Sequence, residues 1–268
     1  MRTTCRSGSR QDQTKRSRRV KRLFPIVLFF LAGCAGQSVQ PDGGQTHARS
    51  SAAVHTELGA GYYSRHQYAV ALSELRDAIR ADSTYAPAYN VLGLVYMDLK
   101  ENRKAKDNFE RALDLSPQDS DINNNYGWFL CQHGQPKESI KKFLTALANP
   151  LYATPEIAYL NAGICSEKAG EDAKALEYYR QVLQIRPGFP RANLGLASVD
   201  YRQGRYEAAR KHLLEYMKAA EPTAQSLLLG VRIAAKLGDS DAQADYATQL
   251  RNRFPDSQEA GEIQNGNE

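Results

Sequence analysis

Cysteine and histidine are the residues of this chain best suited to bind a metal or to act as nucleophiles. The sequence has four cysteines and five histidines, and neither His-x3-His nor Cys-x2-Cys spacing occurs among them. Metal sites in proteins rely on such spacing, because it brings several ligands to one ion. Surface or turn positions account for the histidines, so no metal site is predicted. They are His47, His55, His66, His133 and His212.

Other catalytic patterns are also missing from the sequence. It has no glycine-rich phosphate loop, no Gly-x-Ser-x-Gly elbow and no recognisable pair of carboxylates outside the chain's helical repeats. Acidic residues such as Glu74, Asp77, Glu138 and Glu207 fall on polar faces of predicted helices, where solvation explains their charge. We therefore predict that the chain is not an enzyme and has no cofactor and no small-molecule substrate.

The helices that must position any functional residue follow a period of about 34 residues. The clearest copy has small residues, Gly93 and Ala105, where two helices must approach closely, and large residues, Tyr96 and Phe109, beside them. This spacing resembles the tetratricopeptide repeat, in which two antiparallel helices form one unit. The positions that match are Tyr89, Leu92, Gly93, Tyr96, Ala105, Phe109, Ala112 and Pro117.

Five further copies of this pattern extend over residues 52–255, and the last two are degenerate. The fourth copy comes two residues late, after the loop at residues 149–155. A degenerate end is expected, since the terminal unit of such an array faces solvent. The repeats predict an all-α fold, a right-handed superhelical solenoid of six tetratricopeptide repeats. The alternative, an unrelated all-helical bundle, leaves the fixed period unexplained.

The first 33 residues differ in chemistry from the rest of the chain. They contain nine Lys or Arg and one acidic residue, followed by the apolar run at residues 23–31. This order is typical of a secretory signal, and the run is shorter than the roughly 20 residues that span a bilayer. We predict a lipoprotein signal peptide at residues 1–33. Translation from Val20 would leave a shorter signal with Lys21 and Arg22 as its basic region.

The signal ends in Leu31-Ala32-Gly33-Cys34, which resembles a bacterial lipobox. The resemblance implies acylation of Cys34, including palmitate, and several acyl chains hold a protein stably on a membrane. Ala35, and not Asp, follows the cysteine, which favours the outer membrane of a Gram-negative bacterium. A buried helix with an incidental cysteine is the alternative interpretation of residues 23–34.

Removal of the signal reverses the net charge of the protein. The whole chain carries 35 basic and 30 acidic residues, a formal charge of +5. Without residues 1–33, 26 basic and 29 acidic residues remain, a charge of −3. The mature chain therefore lacks the positive surface that nucleic-acid binding requires, and no nucleic-acid partner is predicted. Composition further predicts a flexible tether at residues 34–51 and a disordered tail at residues 256–268.

Cys131 and Cys165 are the two cysteines left in the folded part of the mature chain. Both fall in the first helices of adjacent repeats, the third and the fourth, which should lie side by side. In an oxidising periplasm the two could form a disulfide, provided that their Cα atoms lie within about 7 Å. The alternative is that both are small buried apolar residues.

The first helices also supply the candidate binding surface, a concave groove. Its predicted residues lie one step around each helix from the packing residues and combine apolar side chains with amides. Such a surface favours an extended or helical protein segment. Packing against neighbouring helices is the alternative role for any one of them. The predicted groove residues are Thr56, Ala60, Tyr63, Asn90, Leu94, Met97, Asn124 and Trp128.

Three segments give the chain a more specific resemblance. Together with six repeats behind a lipobox, they resemble the PilF/PilW family of type IV pilus biogenesis lipoproteins, which act as pilotins of the pilus secretin. The segments are residues 123–131 (Asn-Asn-Asn-Tyr-Gly-Trp-Phe-Leu-Cys), 149–152 (Asn-Pro-Leu-Tyr) and 226–232 (Ser-Leu-Leu-Leu-Gly-Val-Arg).

The resemblance implies that the protein binds secretin subunits in the periplasm and promotes their placement and multimerisation at the outer membrane. It implies secretin contact toward the first two repeats, at the groove between Thr56 and Met97, and a bridge between Cys131 and Cys165. The competing interpretation is a lipid-anchored periplasmic adaptor for another envelope assembly, such as outer-membrane insertion, polysaccharide export or cell-wall machinery. The partner distinguishes the two.

Overall fold

The structure is a computed structural model that describes residues 43–264 of the chain. Over this range the backbone forms thirteen α-helices and no β-strand. Twelve of the helices form six antiparallel pairs, and the thirteenth follows the last pair. They are α1 (Gly43–Ser64), α2 (Tyr68–Ala81), α3 (Ala86–Asp98), α4 (Asn102–Leu115), α5 (Ser120–Gln132), α6 (Pro136–Leu147), α7 (Pro155–Lys168), α8 (Asp172–Ile185), α9 (Pro190–Arg202), α10 (Tyr206–Ala219), α11 (Ala224–Leu237), α12 (Ser240–Arg253) and α13 (Gln258–Gln264).

The arrangement of the pairs confirms the predicted right-handed solenoid of six tetratricopeptide repeats. Each first helix packs on its own second helix, and each second helix packs on the first helix of the next repeat. First helices of successive repeats also contact one another. Within residues 43–264, no Cα atoms of successive second helices approach within 8 Å. The first helices therefore lie on the inner, concave side of the solenoid.

A turn residue with positive φ ends the first helix of every pair. The next backbone N–H then bonds back to the helix, as from Gln67 to the Tyr62 carbonyl at 3.0 Å and from Glu101 to the Tyr96 carbonyl at 2.9 Å. The spacing of these turn residues is two residues longer between the third and fourth than elsewhere. They are His66, Lys100, Gly134, Gly170, Gly204 and Gly238, with φ between 58° and 76°.

Small residues on the first helices allow a large ring from the second helix to pack against the backbone. A Cβ atom at Gly93 would lie 2.6 Å from the Phe109 ring, and one at Gly163 would lie 2.5 Å from the Tyr179 ring. Phe109 is fully buried, and its ring also contacts the next repeat at Phe129, with centroids 5.7 Å apart. The core is therefore continuous from one repeat to the next.

The loop between α6 and α7 accounts for the longer spacing of the turns. Asn149 fixes its start, because its Nδ2 donates to Ser120 Oγ at 3.3 Å and its Oδ1 accepts from the Leu151 backbone N–H at 2.9 Å. Leu151 projects into solvent, with 88% of its surface exposed. The third and fourth repeats are thus joined by an ordered but protruding connection.

Helix α1 corrects the predicted limit of the flexible tether. Residues 43–51 belong to α1, so the prediction of a tether as far as residue 51 is wrong for them. The helix extends because its early turns contact the start of the second repeat, where Arg49 stacks over the Tyr85 ring at 5.4 Å. The repeat pattern does not include these positions, so it underestimates the helix. Residues 34–42 lie outside the described residues.

Helix α13 corrects the predicted disordered tail. Residues 258–264 are helical and cover the exposed side of the last repeat. Ala260 is fully buried, Ile263 packs against the apolar cluster around Leu227, and Arg232 binds Glu262 with 2.7 Å between Nη2 and Oε2. A solenoid end needs such a polar cap over its last apolar face. Residues 265–268 lie outside the described residues.

Within residues 43–264, no helix is both long enough and apolar enough to cross a membrane. The predicted signal peptide and the predicted lipidation site, Cys34, lie outside the described residues.

Candidate partner-binding groove

Five of the eight predicted groove residues are partly exposed on the concave side. Ala60 and Tyr63 come from α1, Leu94 and Met97 from α3, and Trp128 from α5. None of these side chains carries a charge. We call this surface the apolar half of the groove. Partly exposed aromatic and thioether side chains on a rigid scaffold are typical anchors for a protein segment.

The other three predicted groove residues are buried. Thr56 is only 6% exposed, and its hydroxyl donates to the Ala52 carbonyl at 2.7 Å, so its prediction as a binding residue is wrong. Asn90 and Asn124 are each 7% exposed. Their amides are occupied by other asparagines, because neighbouring first helices place amide groups directly opposite them.

A row of four asparagines connects α3, α5 and α7 beneath the groove. Asn125 Nδ2 donates to Asn90 Oδ1 at 3.2 Å, and Asn124 Nδ2 donates to Asn125 Oδ1 at 3.4 Å. Asn161 Nδ2 then donates to Asn124 Oδ1 at 3.1 Å. Buried amides are costly unless paired, so the row holds the three first helices in one register. The prediction missed Asn125 and Asn161, although the run Asn123-Asn124-Asn125 was visible in the sequence.

The disulfide lies at the end of this row. Cys131 on α5 and Cys165 on α7 are bonded, with their Cα atoms 5.8 Å apart. Trp128 packs against the cluster that contains both cysteines. Lys168 Nζ lies 5.9 Å from the centre of the Trp128 ring and donates to Gln132 Oε1 at 3.1 Å. The indole ring therefore sits between the disulfide cluster and a cation at the edge of the apolar half.

A carboxylate with two tyrosines stands at the other end of the apolar half. Tyr68 donates to Asp98 Oδ2 at 3.4 Å, and the charge of the same carboxylate acts on the Tyr63 hydroxyl. The Tyr63 and Tyr68 rings have centroids 6.3 Å apart. Burial, and then the charge of Asp98, raise the pKa of Tyr63 far above its usual value, so its hydroxyl remains a donor. The prediction missed Tyr68 and Asp98, which come from different helices.

The groove becomes charged over the fourth and fifth repeats. A cavity of about 330 Å³ there is lined by Glu167, Lys168, Arg191 and Gln225, among others. Glu167 accepts hydrogen bonds from the Tyr179 hydroxyl and from Arg202, the latter at 2.8 Å. Arg202 is therefore already neutralised by the protein. These ion pairs tie α7 to α9 and make this half of the groove polar.

Side chains able to bind a metal are not clustered in the part of the chain that the structure describes. Among residues 43–264, no three His, Cys, Asp or Glu side chains lie close enough to hold one metal ion. Two of the histidines lie beside a carboxylate: His55 Nδ1 is 2.8 Å from Glu74 Oε2, and His212 Nε2 is 3.7 Å from Asp200 Oδ2.

Family models and solved structures agree with this architecture. Models of the tetratricopeptide repeat match residues 86–119, 108–141, 130–190 and 168–229. A crystal structure of PilW, titled a widely conserved type IV pilus biogenesis factor, superposes with a TM-score of 0.75 at 38% identity. It covers 80% of this chain and 98% of PilW.

A structure of Pseudomonas aeruginosa PilF also superposes with a TM-score of 0.75, at 30% identity, over 83% of this chain and 99% of PilF. In sequence, the type IV pilus assembly protein PilF of P. aeruginosa is 30% identical over 243 residues, which cover 89% of this chain and 95% of that protein. The likeness thus extends over nearly the whole of both proteins. The chain belongs to the family of PilF and PilW, the tetratricopeptide-repeat proteins of type IV pilus biogenesis.

Proposed function

We propose that this protein is a pilotin: an outer-membrane lipoprotein that binds type IV pilus secretin subunits and promotes their multimerisation there. It acts without catalysis, as a scaffold on the periplasmic face of the membrane. The observation that carries the proposal is the apolar half of the groove, presented by a member of the PilF/PilW family. Ala60, Tyr63, Leu94, Met97 and Trp128 form its exposed surface.

The form of the groove supports a protein segment as the ligand. Its apolar half is fixed by the asparagine row and the disulfide, so little conformational entropy is lost when a partner binds. Its contact residues are aromatic, aliphatic and thioether groups, which suit the apolar face of a helix or an extended strand. The negative charge of the mature chain argues against nucleic acid as the ligand.

In the proposed mechanism, the lipid anchor determines where the protein acts. Acyl chains on Cys34 would confine the repeats, and any subunit bound to them, to a thin layer beside the outer membrane. Confinement raises the effective concentration of bound subunits and favours their assembly by mass action. In this mechanism the lipid determines where the secretin assembles, and the groove determines which protein is bound.

Crosslinking in cells tests the groove and identifies its partner. A photoreactive phenylalanine derivative replaces Met97 in the groove, and a control protein carries it at Leu144, which is 47% exposed on the second helix α6. Secretin captured from position 97 but not from position 144 is the expected result. Capture of a different envelope assembly from position 97 would replace the pilotin proposal by the adaptor alternative.

Removal of the anchor tests the mechanism separately. Cys34→Ala abolishes acylation, and the repeats do not depend on it for folding. We expect secretin binding to be intact in pull-down experiments, while secretin multimers leave the outer-membrane fraction. Normal amounts of outer-membrane multimers in this variant would contradict the mechanism, whatever the result at position 97.

A further inference from the structure

The cluster of Asp98, Tyr63 and Tyr68 introduces a charge into an otherwise uncharged surface. Met97, the residue before Asp98, belongs to the apolar half of the groove, and so does Tyr63. The Asp98 side chain is partly exposed, as are both tyrosines. A ligand in the apolar half would therefore meet a carboxylate at its edge, flanked by two aromatic rings.

The Asp98 carboxylate retains the capacity to accept further hydrogen bonds. A carboxylate offers about four acceptor positions, and the Tyr68 hydroxyl uses one of them. Within residues 43–264, no Lys, Arg or His nitrogen lies within 4.0 Å of it. Arg65, which lies between Tyr63 and Tyr68 in the sequence, stacks on the Tyr62 ring at 4.8 Å. His66 Nδ1 instead lies 2.9 Å from the Tyr68 hydroxyl.

We propose that Asp98, Tyr63 and Tyr68 form a pocket for one lysine or arginine side chain of the segment that binds the apolar half of the groove. The carboxylate would accept a charge-assisted hydrogen bond, and the rings would contact the cation through their faces. The partner segment is thereby specified more narrowly, as an apolar stretch with a cation at one end. This inference rests on the proposed function for the identity of the partner.

The competing role for Asp98 is purely structural, because its hydrogen bond from Tyr68 also joins α2 to α3. The two roles respond differently to matched substitutions. Asp98→Asn keeps the shape and an acceptor for the phenols but removes the charge. Tyr68→Phe removes a hydrogen bond of the cluster but keeps the ring and the charge. A structural role makes both variants less stable, whereas a cation pocket makes only Asp98→Asn a weak binder.

The test measures the affinity of the mature lipoprotein, in detergent, for purified pilus secretin subunits. Asp98→Asn is compared with Tyr68→Phe and with Asp107→Asn, which removes an exposed carboxylate from the second helix α4. Asp98→Asn should weaken binding about tenfold to a hundredfold, the size of one charge-assisted hydrogen bond. Asp107→Asn should bind as the wild type does, Tyr68→Phe should lose less affinity than Asp98→Asn because it keeps the ring and the charge, and thermal melts should show all four proteins folded.

In parallel, a library of random displayed peptides is selected for binding to the wild type and, separately, to Asp98→Asn. If secretin binds the wild type and Asp98→Asn equally, the cation pocket is wrong and the pilotin proposal stands. If secretin binds neither the wild type nor Asp98→Asn, the pilotin proposal fails, and the peptide screen alone then tests the cation pocket. Lysine or arginine enriched beside apolar residues by the wild type, but not by Asp98→Asn, supports the pocket. Equal composition in both selections rejects it.

Discussion

Reduction of the Cys131–Cys165 disulfide should lower the stability of the protein substantially. The bond closes a chain segment of 34 residues, from α5 of the third repeat to α7 of the fourth. Closing a loop of this size removes conformational entropy from the unfolded chain worth about 4 kcal/mol at 25 °C. For a domain of this length, such a loss lowers Tm by about 8–16 °C.

Thermal melts with and without a reductant measure this effect. Tryptophan fluorescence is a local probe, because the chain has one tryptophan and Trp128 packs against the disulfide cluster. A thiol titration of the denatured protein should find no reactive thiol from these two residues before reduction and two after it. The double variant Cys131→Ala with Cys165→Ala is the control, and the reductant should not change its Tm.

A loss of stability of 1 kcal/mol lowers Tm by about 2–4 °C. If the reduced wild type, with both thiols titrated, melts within this interval of the oxidised protein, the predicted stabilisation by the disulfide is wrong. Such a result would mean that contacts between repeats persist in the unfolded chain and restrict it as much as the disulfide does.

Three further substitutions test the packing and the electrostatics of the repeats. Gly163→Ala places a Cβ 2.5 Å from the Tyr179 ring and should destabilise the protein by about 1–3 kcal/mol in urea unfolding. Gly61→Ala, whose Cβ would lie 3.8 Å from the Arg65 guanidinium, should stabilise it by up to about 1 kcal/mol, and equal effects of the two would contradict the packing argument. Burial lowers the pKa of His212, although Asp200 opposes this. The unfolded chain then binds the proton more readily, so stability should fall as the pH drops through about 6.5, and His212→Gln should remove that part of the pH dependence. Urea unfolding of both proteins at pH 5 and pH 7.5 measures it, and an identical pH dependence would exclude His212 as its source.

The periodic pattern predicted the middle of the molecule and missed its ends. Gly93 and Phe109 are predictable because their contact lies within one repeat, and every repeat needs the same close approach of its two helices. The early turns of α1 and the cap α13 have no such constraint. Arg49 and Ala260 make contacts that occur only at the two ends of the solenoid. A repeating pattern contains no information about contacts that occur once.

The groove was predicted in position but not in detail, for a related reason. Helical geometry correctly placed Tyr63 and Met97 on the concave side. It could not show that Asn90 and Asn124 would be covered, because their partners are amides on the next first helix. In the Asp98 cluster, Tyr63 and Tyr68 are close in sequence, but Asp98 comes 30 residues after Tyr68, and only the packing of α3 on the first repeat brings it to them.

The protruding loop between α6 and α7 lies inside the segment that the disulfide closes. A protease that cuts at Leu151 would separate the chain into two polypeptides, one carrying Cys131 and the other Cys165. The two would stay linked, with the third and fourth repeats still in contact, and would separate on a gel only after reduction. At this exposed connection the protein can lose a peptide bond and remain a single molecule.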